Sequence, residues 1–169
     1  SPMSRGLGDV YKRQTFNGTE RSDYLEGYQL KSGDPDVAWD ELIRVCTMLD
    51  STPIAEIEAL DSILDLDGTL RYLALENVLI DCDSYVSRGS DYAICIDEPH
   101  GRFHILPHDS NESFRYPGGG PGFNGVDGSG ATLDPLQYHD EPTRPLIHKL
   151  VSHPALRARD EQRDDERAR

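Results

Sequence analysis

Two acidic clusters flank a predicted β-hairpin, and their residue types suit phosphoryl transfer. Asp81-Cys82-Asp83-Ser84-Tyr85 closes an apolar helix, and His108-Asp109-Ser110-Asn111-Glu112 lies just past the hairpin's second strand. Metal-assisted phosphoryl transfer needs one carboxylate to orient a hydroxyl and another, with an amide oxygen, to hold a hard cation on the phosphates. Asp109 and Asn111 straddle one residue, so on an extended segment both side chains share a face and can grip one cation. Capping of the next turn accounts for the same pair equally well. Asp83 lies just past a helix C-terminus, where an acid opposes the macrodipole, so helix stability does not explain it.

The elements that must deliver these groups are legible as patterns. Asp34-Pro35 caps and starts a helix through Leu49, with Trp39, Leu42, Ile43, Val45, Cys46 and Leu49 as its apolar stripe. Thr52-Pro53 starts a short amphipathic stretch carrying Ile54, Ile57, Leu60, Ile63 and Leu64. Asp67-Gly68-Thr69 opens the most apolar helix, Leu70 to Ile80, whose apolar residues lie nearly all round and mark it as the buried central helix. After a loop over 81–90, Asp91 to Asp97 reads as a strand, Glu98-Pro99-His100-Gly101 as a turn, and Arg102 to Leu106 as the partner strand. Pro107 ends that ladder and sets His108 and Asp109 at its mouth. A last helix spans about Pro145 to Arg157, broken near His153-Pro154.

At 169 residues the chain is long enough for one domain with a real core. Its net charge of −14 is concentrated: residues 34–114 hold 18 Asp and Glu against four Arg and no Lys. Such a surface repels nucleic-acid phosphates and anionic membranes, so nucleic acid is not an expected partner. The three cysteines form no CxxC pair, which argues against a disulfide scaffold and a zinc ribbon. No apolar run is long enough to span a bilayer.

Residues 1–14 (SPMSRGLGDVYKRQ) share neither periodicity nor charge character with the remainder of the chain and read as a non-native, adapter-like leader. Residues 158–169 read as a charged, disordered tail. The expected organisation is therefore a leader over 1–14, a domain over 15–157 and a tail over 158–169.

Other motifs carry less. Gly120-Pro-Gly-Phe-Asn-Gly125 is formally GxGxxG, but no strand precedes it, no helix comes after it, and Pro121 sits inside the turn. The glycine-rich stretch 117–130 reads as a flexible loop. His100, His104 and His108 recur every four residues, yet Gly101 and Pro107 make the segment a hairpin rather than a metal-binding helix face. Ser110 and Ser129 lack a His–Asp relay at any recognisable spacing.

Taken together, Leu64-Asp-Leu-Asp-Gly68, Arg71-Tyr-Leu-Ala-Leu-Glu-Asn77, Asp83-Ser-Tyr85, Ser90-Asp-Tyr92 and the run Gly101 to Phe114 resemble the CotH (spore-coat protein H) kinase family. Leu133-Asp-Pro-Leu136, Arg144-Pro-Leu146 and His153-Pro154 continue the likeness, which covers roughly residues 24–157. The resemblance implies an α+β fold: an atypical protein-kinase-like C-lobe, with helices packed around a catalytic loop and a β-hairpin. It implies ATP and Mg²⁺ or Mn²⁺ as cofactors, with transfer of the γ-phosphoryl to serines of a secreted, cell-surface or spore-coat protein. On the same resemblance Asp83 matches the catalytic-loop aspartate that orients the substrate hydroxyl. Asp109 matches the metal-binding aspartate, and Asn111 comes next in its motif as a second ligand contacting the metal–nucleotide. Beyond the leader, Lys31 is the only lysine ahead of Lys149; it lies in Tyr28-Gln-Leu-Lys31, a motif the family shares, and is the candidate nucleotide contact.

Two features depart from the family. The chain begins after most of the nucleotide-binding lobe, so the expectation is a fragment inactive by itself. Asp81 stands where relatives often carry Asn, and a second acid there crowds Asp83 and raises one pKa. The alternatives are a non-catalytic structural or coat-associated protein that keeps the fold, and a calcium-binding surface module using the same acids.

Overall fold

Asp34 starts the first helix as its sequence suggests: its carboxylate accepts from the amides of Asp36 and Val37 at 3.0 and 3.1 Å, and Pro35 occupies the first turn, where no amide is needed. In the computed structural model, which describes residues 3–4, 14–81, 84–87, 89–97, 100–110, 113 and 136–159, this helix is α1, Pro35–Ser51. It buries Trp39, Leu42, Val45, Cys46 and Leu49, while Ile43 is only partly covered. The Lys149 ammonium donates to the carbonyls of Asp50 (3.3 Å) and Thr52 (2.7 Å), occupying acceptors that the helix end leaves open.

The second stretch, Ile54–Ser62, is a 3-10 helix. Its apolar residues recur every third position, Ile54, Ile57, Leu60 and Ile63, and a three-residue turn stacks them on one side. Ile57 and Leu60 are buried.

The central helix, α2, spans Leu66–Leu79, so it begins four residues before the expected Leu70. Asp65, not Asp67, is its cap: the Asp65 carboxylate accepts from the Gly68 amide at 3.0 Å. The carboxylate folds so closely over the first turn that a Cβ on residue 68 would stand 2.2 Å from Asp65 Oδ2. At the far end Ile80 is left-handed (φ 51°, ψ 48°), its amide bonds to the Asn77 carbonyl at 3.1 Å, and the Asp81 amide reaches back to the Glu76 carbonyl at 3.2 Å. This is the hydrogen-bond pattern of a Schellman cap, with a β-branched residue where glycine is usual. The helix therefore stops and turns at Asp81, the first residue of the acidic loop.

A four-stranded antiparallel sheet lies against α2, in the order β2-β1-β3-β4: β1 Met3–Ser4, β2 Gln29–Leu30, β3 Tyr92–Ile96 and β4 Phe103–Pro107. Strands β3 and β4 are the expected hairpin, in register from Tyr92↔Pro107 to Ile96↔Phe103. Tyr92 and Ile94, with Phe103 and Ile105, turn to the core as period-two alternation requires. The start of β4 is bonded to the chain ahead of α2: Asp65 N–H donates to the Phe103 carbonyl and Phe103 N–H to the Ile63 carbonyl, both at 2.8 Å. Within residues 1–14, Met3–Ser4 pairs with both β2 and β3, and the buried Gln14 side-chain amide donates to the hydroxyls of Tyr28 (3.3 Å) and Tyr92 (3.1 Å).

The C-terminal segment enters as a helix at 145–146, widens into a π-helix at Ile147–Val151, and resumes helically at 154–159. The break at His153 comes where Pro154 has no amide to continue the ladder. Leu146, Leu150 and Leu156 close the core against the earlier elements. The fold is thus α+β, with helices and a small antiparallel sheet around one core. The glycine-rich stretch 117–130 and residues 160–169 of the tail lie outside the described residues.

Candidate active site

The helix end and the hairpin end do deliver the two acidic segments to neighbouring positions. His108 N–H donates to the Asp91 carbonyl at 3.0 Å, continuing the hairpin pairing one step past β3. Ser113, two residues beyond Asn111, reaches the Asp81 carboxylate with its hydroxyl at 3.5 Å. Asp83 and Asn111 themselves lie outside the described residues. Asp109 is exposed, stands in the left-handed region (φ 55°), and among the described residues no side chain or amide pairs with its carboxylate. An exposed oxygen donor without an internal cation has the chemistry a hard cation requires. Among the described residues no three His, Cys, Asp or Glu side chains group closely enough to hold a metal ion.

The loop between Asp81 and Asp91 is tied down on both sides of position 83. The Asp81 carbonyl accepts from the hydroxyls of Ser84 and Ser87, each at 3.0 Å. The Tyr85 amide donates to the Tyr72 hydroxyl at 3.4 Å, and the Tyr85 hydroxyl accepts from the Leu146 amide at 3.2 Å. The Tyr85 ring meets Tyr92 edge-on, with centroids 5.4 Å apart. From the other side Arg144, only 7% exposed, donates to the carbonyls of Val86 and Ser87, the latter at 3.2 Å.

Beneath the loop sits an acid that the spacing of the clusters does not reveal. Glu76, on α2, is 1% exposed, and apart from the neighbouring Asp81 carboxylate its oxygens have no hydrogen-bond partner among the described residues. Burial, then the nearby charges of Asp81 and Asp91, pushes its pKa up to about 8, so it is largely protonated at neutral pH. Asp81 is itself 2% exposed. The crowding expected between Asp81 and Asp83 lies outside the described residues, and within them the charge of Asp81 acts on Glu76. Burial first, and then Glu76, also pushes the Tyr72 hydroxyl well above its ordinary range. An acid in the apolar middle of this helix, well past the first turn that Asp67 occupies, is the sequence signal that points to Glu76.

The other candidates stand elsewhere. Lys31 comes directly after β2 on the edge opposite β4, is exposed, and donates to Gln29 Oε1 at 2.6 Å. Because β2 and β4 run in opposite directions, Lys31 and Asp109 occupy diagonal corners of the sheet, roughly 20 Å apart on strand spacing and rise. His104 is held between two carboxylates at the turn end of the hairpin, with Nδ1 3.0 Å from Asp65 and Nε2 3.4 Å from Asp97. Arg102 reaches Asp61 at 2.8 Å and Asp65 at 3.5 Å. The Arg102 amide, donating to Asp97 at 2.7 Å, and then His104 lower the Asp97 pKa. This network fastens the hairpin to the start of α2, at the end away from Asp109.

No helix among the described residues is long and apolar enough to cross a membrane. No curated protein matches the chain. The family model described as CotH kinase protein matches residues 7–166, a wider span than the 24–157 over which the motifs lie. With nearly its whole length matched, and with the loop and hairpin ends brought together, this chain belongs to the CotH kinase family.

Proposed function

We propose that this kinase-like protein is a protein serine kinase, taking the γ-phosphoryl from ATP with a divalent cation and passing it to serines of a secreted, cell-surface or spore-coat protein. The observation that carries the reading is Asp109, exposed at the hairpin mouth with no partner among the described residues, beside a loop fixed on both sides of position 83, in a chain of this family. Asp83 would orient the acceptor hydroxyl and take its proton as the oxygen attacks phosphorus. Asp109 and Asn111 would hold Mg²⁺ or Mn²⁺, which when bound neutralises charge on the transferring phosphate. The buried Tyr85 and Tyr72, with the Asp81 carbonyl, keep the loop from shifting as substrate enters.

A second reading, a structural protein that keeps the fold without the chemistry, is favoured by Lys31. The one candidate phosphate contact stands at the opposite corner of the sheet from Asp109. Incubating the full chain with labelled ATP, Mn²⁺ and a serine-rich acceptor separates the two. Label transfer that falls at least about 100-fold in both Asp83→Ala and Asp109→Ala supports the kinase. Transfer absent from the parent chain supports the structural protein, and transfer unchanged in both variants contradicts the roles given to Asp83 and Asp109.

A further inference from the structure

Arg144 is a cation buried in the interior of a strongly acidic protein, yet among the described residues only one of its contacts is a carboxylate. Its Nε donates to Glu141 at 2.7 Å, three residues earlier on the same segment. Its Nη1 turns away from that acid and donates to two backbone carbonyls, those of Val86 and Ser87, from a segment 57 and 58 residues earlier. The Tyr138 ring covers the guanidinium, with the Arg144 carbon 3.4 Å from the ring centroid. Tyr138 is left-handed (φ 68°), a conformation disfavoured for a bulky residue and kept only where surrounding contacts impose it. Those contacts are present: the His139 carbonyl lies 2.8 Å from His148 Nδ1 and accepts from the Ser152 hydroxyl at 3.0 Å. The segment 136–144 is thereby fixed to the C-terminal helix, and it presents one guanidinium to the loop.

A carbonyl pair facing a planar guanidinium fixes orientation as well as distance, because the donors diverge at set angles. A plain ion pair with Glu141 would hold Arg144 to its own segment and leave the loop free. We propose that Arg144 is a positioning residue: by holding the Val86 and Ser87 carbonyls it sets the loop that carries Asp83. The proposal rests on the kinase reading for its catalytic consequence, but not for the contact itself.

The test compares Arg144→Met, Arg144→Lys and Glu141→Gln in the full chain, by amide hydrogen exchange over residues 81–90 and by transfer kinetics. In Arg144→Met the loop amides should exchange at least about tenfold faster while α1 is unchanged, since a local contact is lost and not the core. Turnover should fall by about 100-fold with KM for ATP held within about threefold, because the loop orients the acceptor and not the nucleotide. Arg144→Lys, able to reach one carbonyl, should recover part of both, and it also serves if the Met variant fails to fold. Glu141→Gln should leave loop exchange at the parent rate. Unchanged loop exchange in both Arg144 variants would overturn the proposal, as would equal effects in Glu141→Gln and Arg144→Met, which would make the contact a segment-stabilising ion pair. A parent chain that transfers no phosphate would remove the kinase reading, and the exchange comparison would still decide whether Arg144 holds the loop.

Discussion

Glu76 shows how much one side chain can carry when water is excluded from it. Its pKa lies near 4.5 in the unfolded chain and near 8 in the folded one, so the folded state holds a proton that the unfolded chain releases between those values. By linkage, the contribution of Glu76 to stability is greatest below about pH 4.5 and declines as pH rises toward 8, where Glu76 must ionise beside Asp81 and Asp91. Glu76→Gln keeps the shape and removes the titration, so it should flatten that decline. Urea unfolding should find the variant more stable than the parent by on the order of 3 kcal/mol near pH 8.5, with little difference near pH 5. Parallel pH dependence in the two proteins would contradict the buried-acid account. Asp109 is the opposite case, an acid left in water without a partner among the described residues, where binding rather than folding can use its charge.

At the scale of the element, the start of α2 joins local capping to long-range contact. Gly68 sits in the first helical turn, where Ala ordinarily gains about 1 kcal/mol over Gly. Here the added methyl would meet Asp65 Oδ2 at 2.2 Å, and that carboxylate is already fixed by the Gly68 amide and by His104. Gly68→Ala should therefore lower stability by roughly 1–2 kcal/mol, read as a fall of several degrees in thermal midpoint. A rise in midpoint would mean that the Asp65 cap is looser than its contacts indicate. The same contacts explain why local sequence puts the helix start too late. Asp67-Gly68-Thr69 offers local capping chemistry, but Asp65 takes the role because Arg102 and His104, 37 and 39 residues away, hold it in place. The 3-10 helix is legible in principle, because Ile54, Ile57, Leu60 and Ile63 keep a period of three that an α-helical reading overlooks. The hairpin is the easiest element to read, since alternation, turn chemistry and Pro107 all agree. Two-residue strands such as β1 and β2 carry no period at all, and their pairing is a tertiary fact.

Over the whole molecule, the acidic residues serve two ends. Near the hairpin turn they bond to Arg102 and His104 and fasten β4 to α2, while at the hairpin mouth no described residue pairs with Asp109. Residue type and spacing mark Asp109 and its neighbours as candidates. They are not enough to find Arg144, whose partners are backbone carbonyls far away in sequence and leave no trace in composition. Membership of the CotH kinase family fixes the company in which these residues belong, and cation-dependent nucleotide binding is the property on which the proposed activity depends. The most direct measurement is thermal unfolding of the full chain with ATP alone, with Mg²⁺ or Mn²⁺ alone, and with both, alongside Asp109→Ala. The account predicts stabilisation only when metal and nucleotide are present together, about 2.7 kcal/mol at a hundredfold excess over Kd, and its loss in the variant. Equal stabilisation of the parent and Asp109→Ala, or none in the parent, would contradict it.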